Sequence, residues 1–270
     1  MENIRLKILV LRIIVAWSFS NTLDETCKIS PESPENPIFP CNIIQYEMFP
    51  ENFALCAPDR PAIFRFNVST RNFNLRKLAS EENLRRNFGD EIVLLSTSNS
   101  FSHRKKSMLL RDYFEYSRNE DLSSSSSNST YYLFGDNTGG IWKRMLDLYD
   151  VPPSKSTLGG TTTIGIGGRH SGVSFHFHGP GFSEIIIGRK RWFLFPPNEH
   201  ILGNEYADMS PRRWVDEVYP QLLQNKSTSL YECVIHPGEM IYFPDKWLHG
   251  TLNLDDYNFF VSYFLENSVL

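Results

Sequence analysis

The sequence predicts a mainly β protein with a mixed α+β N-terminal part. From Tyr131 onward the chain is a succession of short β-prone runs punctuated by Gly, Pro and Asn. Aromatic residues are abundant, with 20 Phe and 12 Tyr among 270 residues, and Val and Ile are frequent, which suits strands better than a helical bundle. Helical patterning is confined to a few segments. Residues 131–270 therefore read as an antiparallel sandwich or barrel, and residues 42–130 as an α+β lead-in packed on it. The length allows one sizeable core and is too short for three domains.

Residues 1–20, MENIRLKILVLRIIVAWSFS, place Arg5 and Lys7 before an apolar run from Ile8 to Trp17 that is broken only by Arg12. Ser18 and Ser20 follow. This is the pattern of a cleavable signal peptide; a membrane anchor would need a longer, uncharged run. No later segment is long and apolar enough to span a bilayer, so no membrane span is expected after cleavage. Residues 21–41, rich in Pro, Glu and Ser, read as a mobile entry segment. In SEENLRRNFGD, Ser80 caps a helix, acids occupy its first turn and Gly89 ends it. EIVLLSTS reads as a strand. MLLRDYFEYSR has helical spacing through Leu109, Tyr113 and Tyr116. The serine tract 123–127 reads as a solvated loop.

The later strands are YYLFGD, TTTIGIGG, GVSFHFH, SEIIIG, RWFLFPP, YECVIHPGE, MIYFP, WLHGTLNL and NFFVSYFLE. One helix interrupts them, from Pro211 to about Leu223, with Trp214, Val218 and Leu222 on one face. No internal repeat is present.

Removal of residues 1–20 leaves 24 Lys+Arg against 30 Asp+Glu, a net charge of −6. A mildly acidic chain has no broad attraction to nucleic acid. Three sequons, at Asn67, Asn128 and Asn225, fit a secreted glycoprotein. Cys27, Cys41, Cys56 and Cys233 are even in number and lack zinc-site spacing. They fit disulfides in an oxidising compartment, with three pairings open, and one pair of free buried thiols is the alternative. The expected location is the secretory pathway.

The chemistry concentrates in SGVSFHFHGPGFSEIIIGRKRWFLFPP, residues 171–197. On a strand, His176 and His178 point to one face and Phe175 and Phe177 to the other. Two imidazoles on one face make half a metal site. His249, in GEMIYFPDKWLHGTLNL, is the candidate third ligand. His103, His200 and His236 read as loop or surface residues. His170 reads likewise and is the substitute ligand. Alternation sets Lys190 on the face opposite Arg189 and Arg191. Pointing inward, it would be a buried cation in need of an anion; pointing outward, one of three solvated charges.

HFHGPGFSEIIIGRKRWFLFPP, followed by PGEMIYFPDKWLHGTLNL, resembles the JmjC (jumonji-C) domain over roughly residues 130–265. In that family a strand carries HxD or HxE, a G-x-K-x-W stretch follows, and a PGE-x-x-F/Y-x-P-x-x-W-x-H stretch closes the site. The signal-like start, the sequons and the HxH variant are similar to the family's endoplasmic-reticulum-luminal branch. The resemblance implies a double-stranded β-helix (jelly-roll, cupin-type) core and Fe(II)- and 2-oxoglutarate-dependent oxidation of a protein or peptide side chain. It assigns His176 and His249 to the histidine ligands, and His178 to the place of the carboxylate. Lys190 and Tyr132 match the residues that hold the distal carboxylate of 2-oxoglutarate. Val173 stands where relatives carry Thr or Ser, and Ser174 is the candidate replacement.

A carboxylate ligand removes one unit of charge from Fe(II); the neutral imidazole of His178 does not. The metal keeps its 2+ charge, and zinc becomes a competitor for a three-histidine site. Two functions follow from the resemblance: an oxygenase acting on a luminal protein, and a non-catalytic JmjC scaffold that works through protein–protein contacts.

Overall fold

The computed structural model describes residues 39–47, 59–98, 104–119, 130–135, 139–152, 159–197, 209–224 and 229–265. Residues 1–20, most of the entry segment, the serine tract, Cys27, Cys56, His103, His200, Asn128 and Asn225 lie outside them.

In chain order the elements are β1 (Ile44–Tyr46), β2 (Ala62–Arg65), α1 (Phe73–Leu78), α2 (Glu81–Phe88), β3 (Ile92–Thr97), β4 (Lys105–Leu109), α3 (Leu110–Asn119) and β5 (Tyr131–Tyr132). Next come α4 (Gly140–Leu146), β6 (Gly160–Gly167), β7 (Gly181–Ile187), β8 (Lys190–Phe195), α5 (Pro211–Glu217) and α6 (Tyr219–Gln224). Four strands close the described chain: β9 (Tyr231–Ile235), β10 (Glu239–Phe243), β11 (Leu248–Asn253) and β12 (Asn258–Leu265).

Six strands form the major sheet in the order β1-β2-β10-β7-β12-β6, and three form the minor sheet, β11-β8-β9. The two sheets face each other across one core, to which Ile63, Ile185, Ile241 and Phe260 come from the major sheet and Trp192, Leu194, Cys233 and Ile235 from the minor. This is a jelly-roll sandwich of the cupin type; the two sheets do not close into a barrel. Alternation sets the faces. On β8, Lys190, Trp192 and Leu194 turn inward, while Phe193 and Phe195 turn outward onto Trp214 and Tyr219 of α5 and α6. On β12, Phe259 and Val261 turn outward onto a cluster with Leu75, Leu84, Leu110 and Met145 of α1–α4.

Local chemistry explains the boundaries. The Ser80 hydroxyl accepts from the N–H of Asn83 and starts α2. A Cβ on Gly89 would lie 2.4 Å from the Arg85 carbonyl oxygen, so only glycine fits there. Pro211 opens α5, with the Ser210 hydroxyl accepting from the N–H of Arg213. The single helix expected over residues 211–223 is two, divided at Val218. Pro220 lacks an N–H and its ring would crowd the carbonyl one turn earlier. Leu109, expected on a helix, ends β4, and the buried face of α3 is Leu110, Tyr113 and Phe114. The lead-in is also less separate than its composition implied: β2 pairs with β10 and β1 with β2, inside the major sheet.

Two devices tie the lead-in down. Glu184 of β7, 1% exposed, receives Arg71 in a fork of 2.7 and 2.8 Å, with Asn72 Nδ2 and the Tyr149 hydroxyl each at 2.7 Å. Cys41 and Cys233 form a disulfide across 192 residues of chain, joining the segment before β1 to β9.

Replacing Glu184 with Ala strands the Arg71 guanidinium. We expect a loss of about 3–5 kcal/mol in denaturant unfolding, the usual cost of breaking one side of a buried pair. A loss below about 1 kcal/mol would show that the clamp is not structural.

Candidate metal and cosubstrate site

The site lies between the two sheets. A one-residue irregularity sets it up. The N–H groups of Asn253 and Thr251 donate to the carbonyls of Ser171 and Val173, whereas His176 and His249 exchange both backbone bonds, at 3.1 and 2.9 Å. Two residues of β11 thus face three residues of the neighbouring segment, as in a β-bulge. The paired backbone at His176 is an isolated bridge, not the longer strand that the alternation implied.

One ring nitrogen from each of His176, His178 and His249 lies within 4.8 Å of the others. The ring centroids are 4.4 Å (His176–His249), 4.8 Å (His178–His249) and 5.2 Å (His176–His178) apart. Each Nδ1 meets a nearby backbone carbonyl: Ser174 at 2.8 Å, Gly179 at 2.7 Å and Trp247 at 2.8 Å. A carbonyl only accepts, so each Nδ1 carries the proton of the neutral ring and each Nε2 keeps its lone pair. Orienting partners of this kind are typical of metal-ligating histidines. Aromatic walls hold the rings in place: Phe243 stacks on His249 at 4.9 Å, and Phe264 stands edge-on to His178 at 5.0 Å.

Burial sets the charge state. It lowers His176 to about 4, and it lowers His178. His249, 3% exposed, is driven well below the usual range by burial and then by its two neighbouring imidazoles. Three neutral nitrogen donors on adjoining backbone suit a divalent transition ion.

Lys190 lines the same cavity. It is 2% exposed, and burial lowers its amine to about 7. Among the described residues no carboxylate pairs with it. Its Nζ sits 3.5 Å from the centroid of the Phe260 ring, whose negative face offsets part of the desolvation. A Cβ on Gly165 would lie 2.0 Å from that ring, so the glycine makes room for Phe260.

Two residues expected beside the cosubstrate lie elsewhere. The Ser174 hydroxyl sits against the carbonyls of Ser98, at 3.1 Å, and Met209. The extra residue of the bulge turns it away, and Val173 lines the cavity instead. Tyr132 is buried, stacked on Phe134 at 6.2 Å, and is not in the cavity lining. His170 is no substitute ligand; Arg212 Nη1 lies 2.7 Å from its Nε2. The sequence reasoning missed Trp192, Thr251, Ser183 and Ser262, which also line the cavity. Trp192 and Thr251 were legible, each two residues beyond an inward side chain. Ser183 and Ser262, bonded Oγ to Oγ at 3.1 Å across β7 and β12, carried no such signal.

Residues 68–269 match the cupin-like domain family. The chain belongs to the cupin-like JmjC family. It is similar to JmjC domain-containing protein 8 of Mus musculus, at 42% identity over 225 residues, 82% of this chain and 79% of that protein. The Homo sapiens protein of that name is 39% identical over 225 residues, 82% and 81% of the two chains. The 2-oxoglutarate and iron-dependent oxygenase JMJD4 of Mus musculus is 27% identical over 248 residues, 80% of this chain and 57% of that protein.

The lowered histidines give the metal-free protein a pH dependence. Each folded ring titrates below its unfolded value near 6.5, so the unfolded chain binds more protons as pH falls. This stability is full above about pH 6.5 and is lost progressively toward pH 4. The urea midpoint of metal-free protein should fall across that window, and less steeply in a His176→Gln, His249→Gln double variant. An unchanged slope would place the loss in other groups.

Proposed function

We propose that the chain is a JmjC-type, oxygenase-like protein of the secretory pathway that binds Fe(II) and 2-oxoglutarate and hydroxylates a side chain of a luminal protein or peptide. One observation carries this reading. A single cavity holds three imidazoles with free Nε2 lone pairs and one buried ammonium without a carboxylate partner. His176, His178 and His249 would hold the metal; Lys190 would hold the distal carboxylate. Bound together, Fe(II) and 2-oxoglutarate would let O₂, the oxidant, hydroxylate the side chain while the 2-oxoglutarate is oxidised to succinate and CO₂.

The chain's own part is positioning. Lys190 pairs across the sheet with Asn253, and His249 with Leu194. They therefore lie four residues apart along one strand pair, a span of about 13 Å at roughly 3.3 Å per residue. The lysine stem closes part of that span and leaves a short dicarboxylate to bridge the rest. Trp192 and Phe243 pack against the His249 ring.

One residue favours the scaffold reading. His178 leaves the metal its full positive charge, where the family's carboxylate would offset one unit. Zinc in place of iron would give a structural centre and a protein that acts through its surface.

The luminal location is supported by the Cys41–Cys233 disulfide and by the exposure of Asn67, whose side-chain oxygen accepts from the Ser69 hydroxyl at 2.6 Å. Endoglycosidase should lower the apparent mass of protein from a eukaryotic secretory host, and joint replacement of Asn67, Asn128 and Asn225 should abolish that shift. A full-length, unmodified cytosolic product would contradict the location.

Anaerobic loading with Fe(II) and 2-oxoglutarate should give a metal-to-ligand charge-transfer band. Lys190→Ala should weaken 2-oxoglutarate binding by about 10- to 150-fold, the worth of a charge-assisted bond, and leave metal content unchanged. His178→Asp should retain metal and raise any turnover of 2-oxoglutarate. Absence of binding at millimolar cosubstrate would leave the scaffold as the better account.

A further inference from the structure

We infer that Thr251 is a binding residue for the anion that Lys190 receives: its hydroxyl donates to the carboxylate from β11. The inference rests on the 2-oxoglutarate reading and names a residue which that reading does not use.

Thr251 is 3% exposed and lines the cavity with Lys190. Its Oγ1 accepts the N–H of Val173 at 3.2 Å. Accepting uses a lone pair and leaves the hydroxyl proton available. Among the described residues that proton meets no acceptor. A buried donor without an acceptor is unfavourable, a penalty that an anion in the cavity removes.

The neighbourhood is short of acceptors in the same way. Trp192, the cross-strand partner of Thr251, is 5% exposed and lines the cavity, and its indole N–H has no acceptor among the described residues. Lys190 is two residues from Trp192 on the same inward face and carries only donors. Three side chains on one stretch of the minor sheet thus offer an ammonium, a hydroxyl and an indole N–H, all without a described acceptor. A carboxylate is the group that suits such a set.

Position explains why Thr251 is suited to this. Val173 lines the cavity with methyl groups only, and it is bonded to Thr251 through both its N–H and its carbonyl. The two side chains stand at the same level on adjoining backbone. A hydroxyl absent from residue 173 is presented from residue 251, one strand over, without change to the histidines that follow.

The test measures 2-oxoglutarate affinity by calorimetry on Mn(II)-loaded full chain, with metal content and thermal midpoint recorded for each variant. Thr251→Val, of the same shape, should weaken binding about 10-fold or more. Thr251→Ser, which keeps the hydroxyl, should stay within about threefold of the unaltered protein. The double change Val173→Thr, Thr251→Val returns a hydroxyl to the same level of the cavity and should recover most of the loss. Unaltered protein that binds 2-oxoglutarate, beside a Thr251→Val variant that binds it equally well, would overturn this inference and leave the oxygenase reading standing. Thr251→Ser as weak as Thr251→Val would also overturn it, since the loss would then be one of packing. Unaltered protein that binds no 2-oxoglutarate would remove both.

Discussion

Two reciprocal backbone hydrogen bonds between His176 and His249 join residues 73 positions apart in sequence. Much of the candidate site follows from them. They fix the chain at the one place where β11 and the segment after Val173 are back in step, beyond the bulge. The short peptide after His176 then carries His178 into the same volume, where the N–H of Lys246 holds its carbonyl at 3.0 Å. The ring orientations come from bonds at least as local, each Nδ1 meeting a carbonyl one or two residues away in sequence. The backbone thus fixes how the three rings are arranged.

Much of this was legible because it depends on periods of two. Turn residues marked the strand ends, and alternation put Lys190 on the face opposite Arg189 and Arg191, while which of the two faces is the inward one came from the packing of the sheets. The bulge was not legible. An extra residue in one strand leaves no mark on a single sequence, since Gly172, Val173 and Ser174 suit either register. Ser174 was misassigned for that reason. Partnership between distant strands was equally hidden: nothing local in IQY or AIFR shows that β1 and β2 extend the sheet containing β7 and β10. The division at Val218 was visible in principle, because Pro220 is incompatible with an unbroken helix.

The site concentrates positive charge, and the structure manages this by neutralisation. The three histidines are neutral through burial. Lys190 shares its cavity with no described acidic side chain and rests on the Phe260 ring. The molecule's strong acids near the core are spent elsewhere: Glu184 on Arg71, and Glu232 on Arg191 at 2.6 Å. Both pairs lie on outward faces of their sheets, away from the cavity. A divalent ion would therefore enter an environment of dipoles and π faces. An anionic cosubstrate would supply the countercharge that the protein withholds.

That division of charge between the two faces of each sheet also bears on the choice between oxygenase and scaffold. A cavity kept only as packing gains nothing from a buried lysine, because an apolar side chain of similar volume would avoid the desolvation cost. Nor does packing call for three imidazoles with uniform tautomers and facing lone pairs. His178 alters the charge at the metal but not the geometry, since its ring is set by its own backbone contact. The substitution leaves three ring nitrogens that could hold an ion, in a cavity shared with a buried lysine. Its consequence falls on reactivity, through a centre more positive by one unit than a carboxylate would make it. The physical question is thus narrower than active against inactive: it is whether a cosubstrate dianion, seated between Lys190 and the histidines, restores the charge that His178 does not provide.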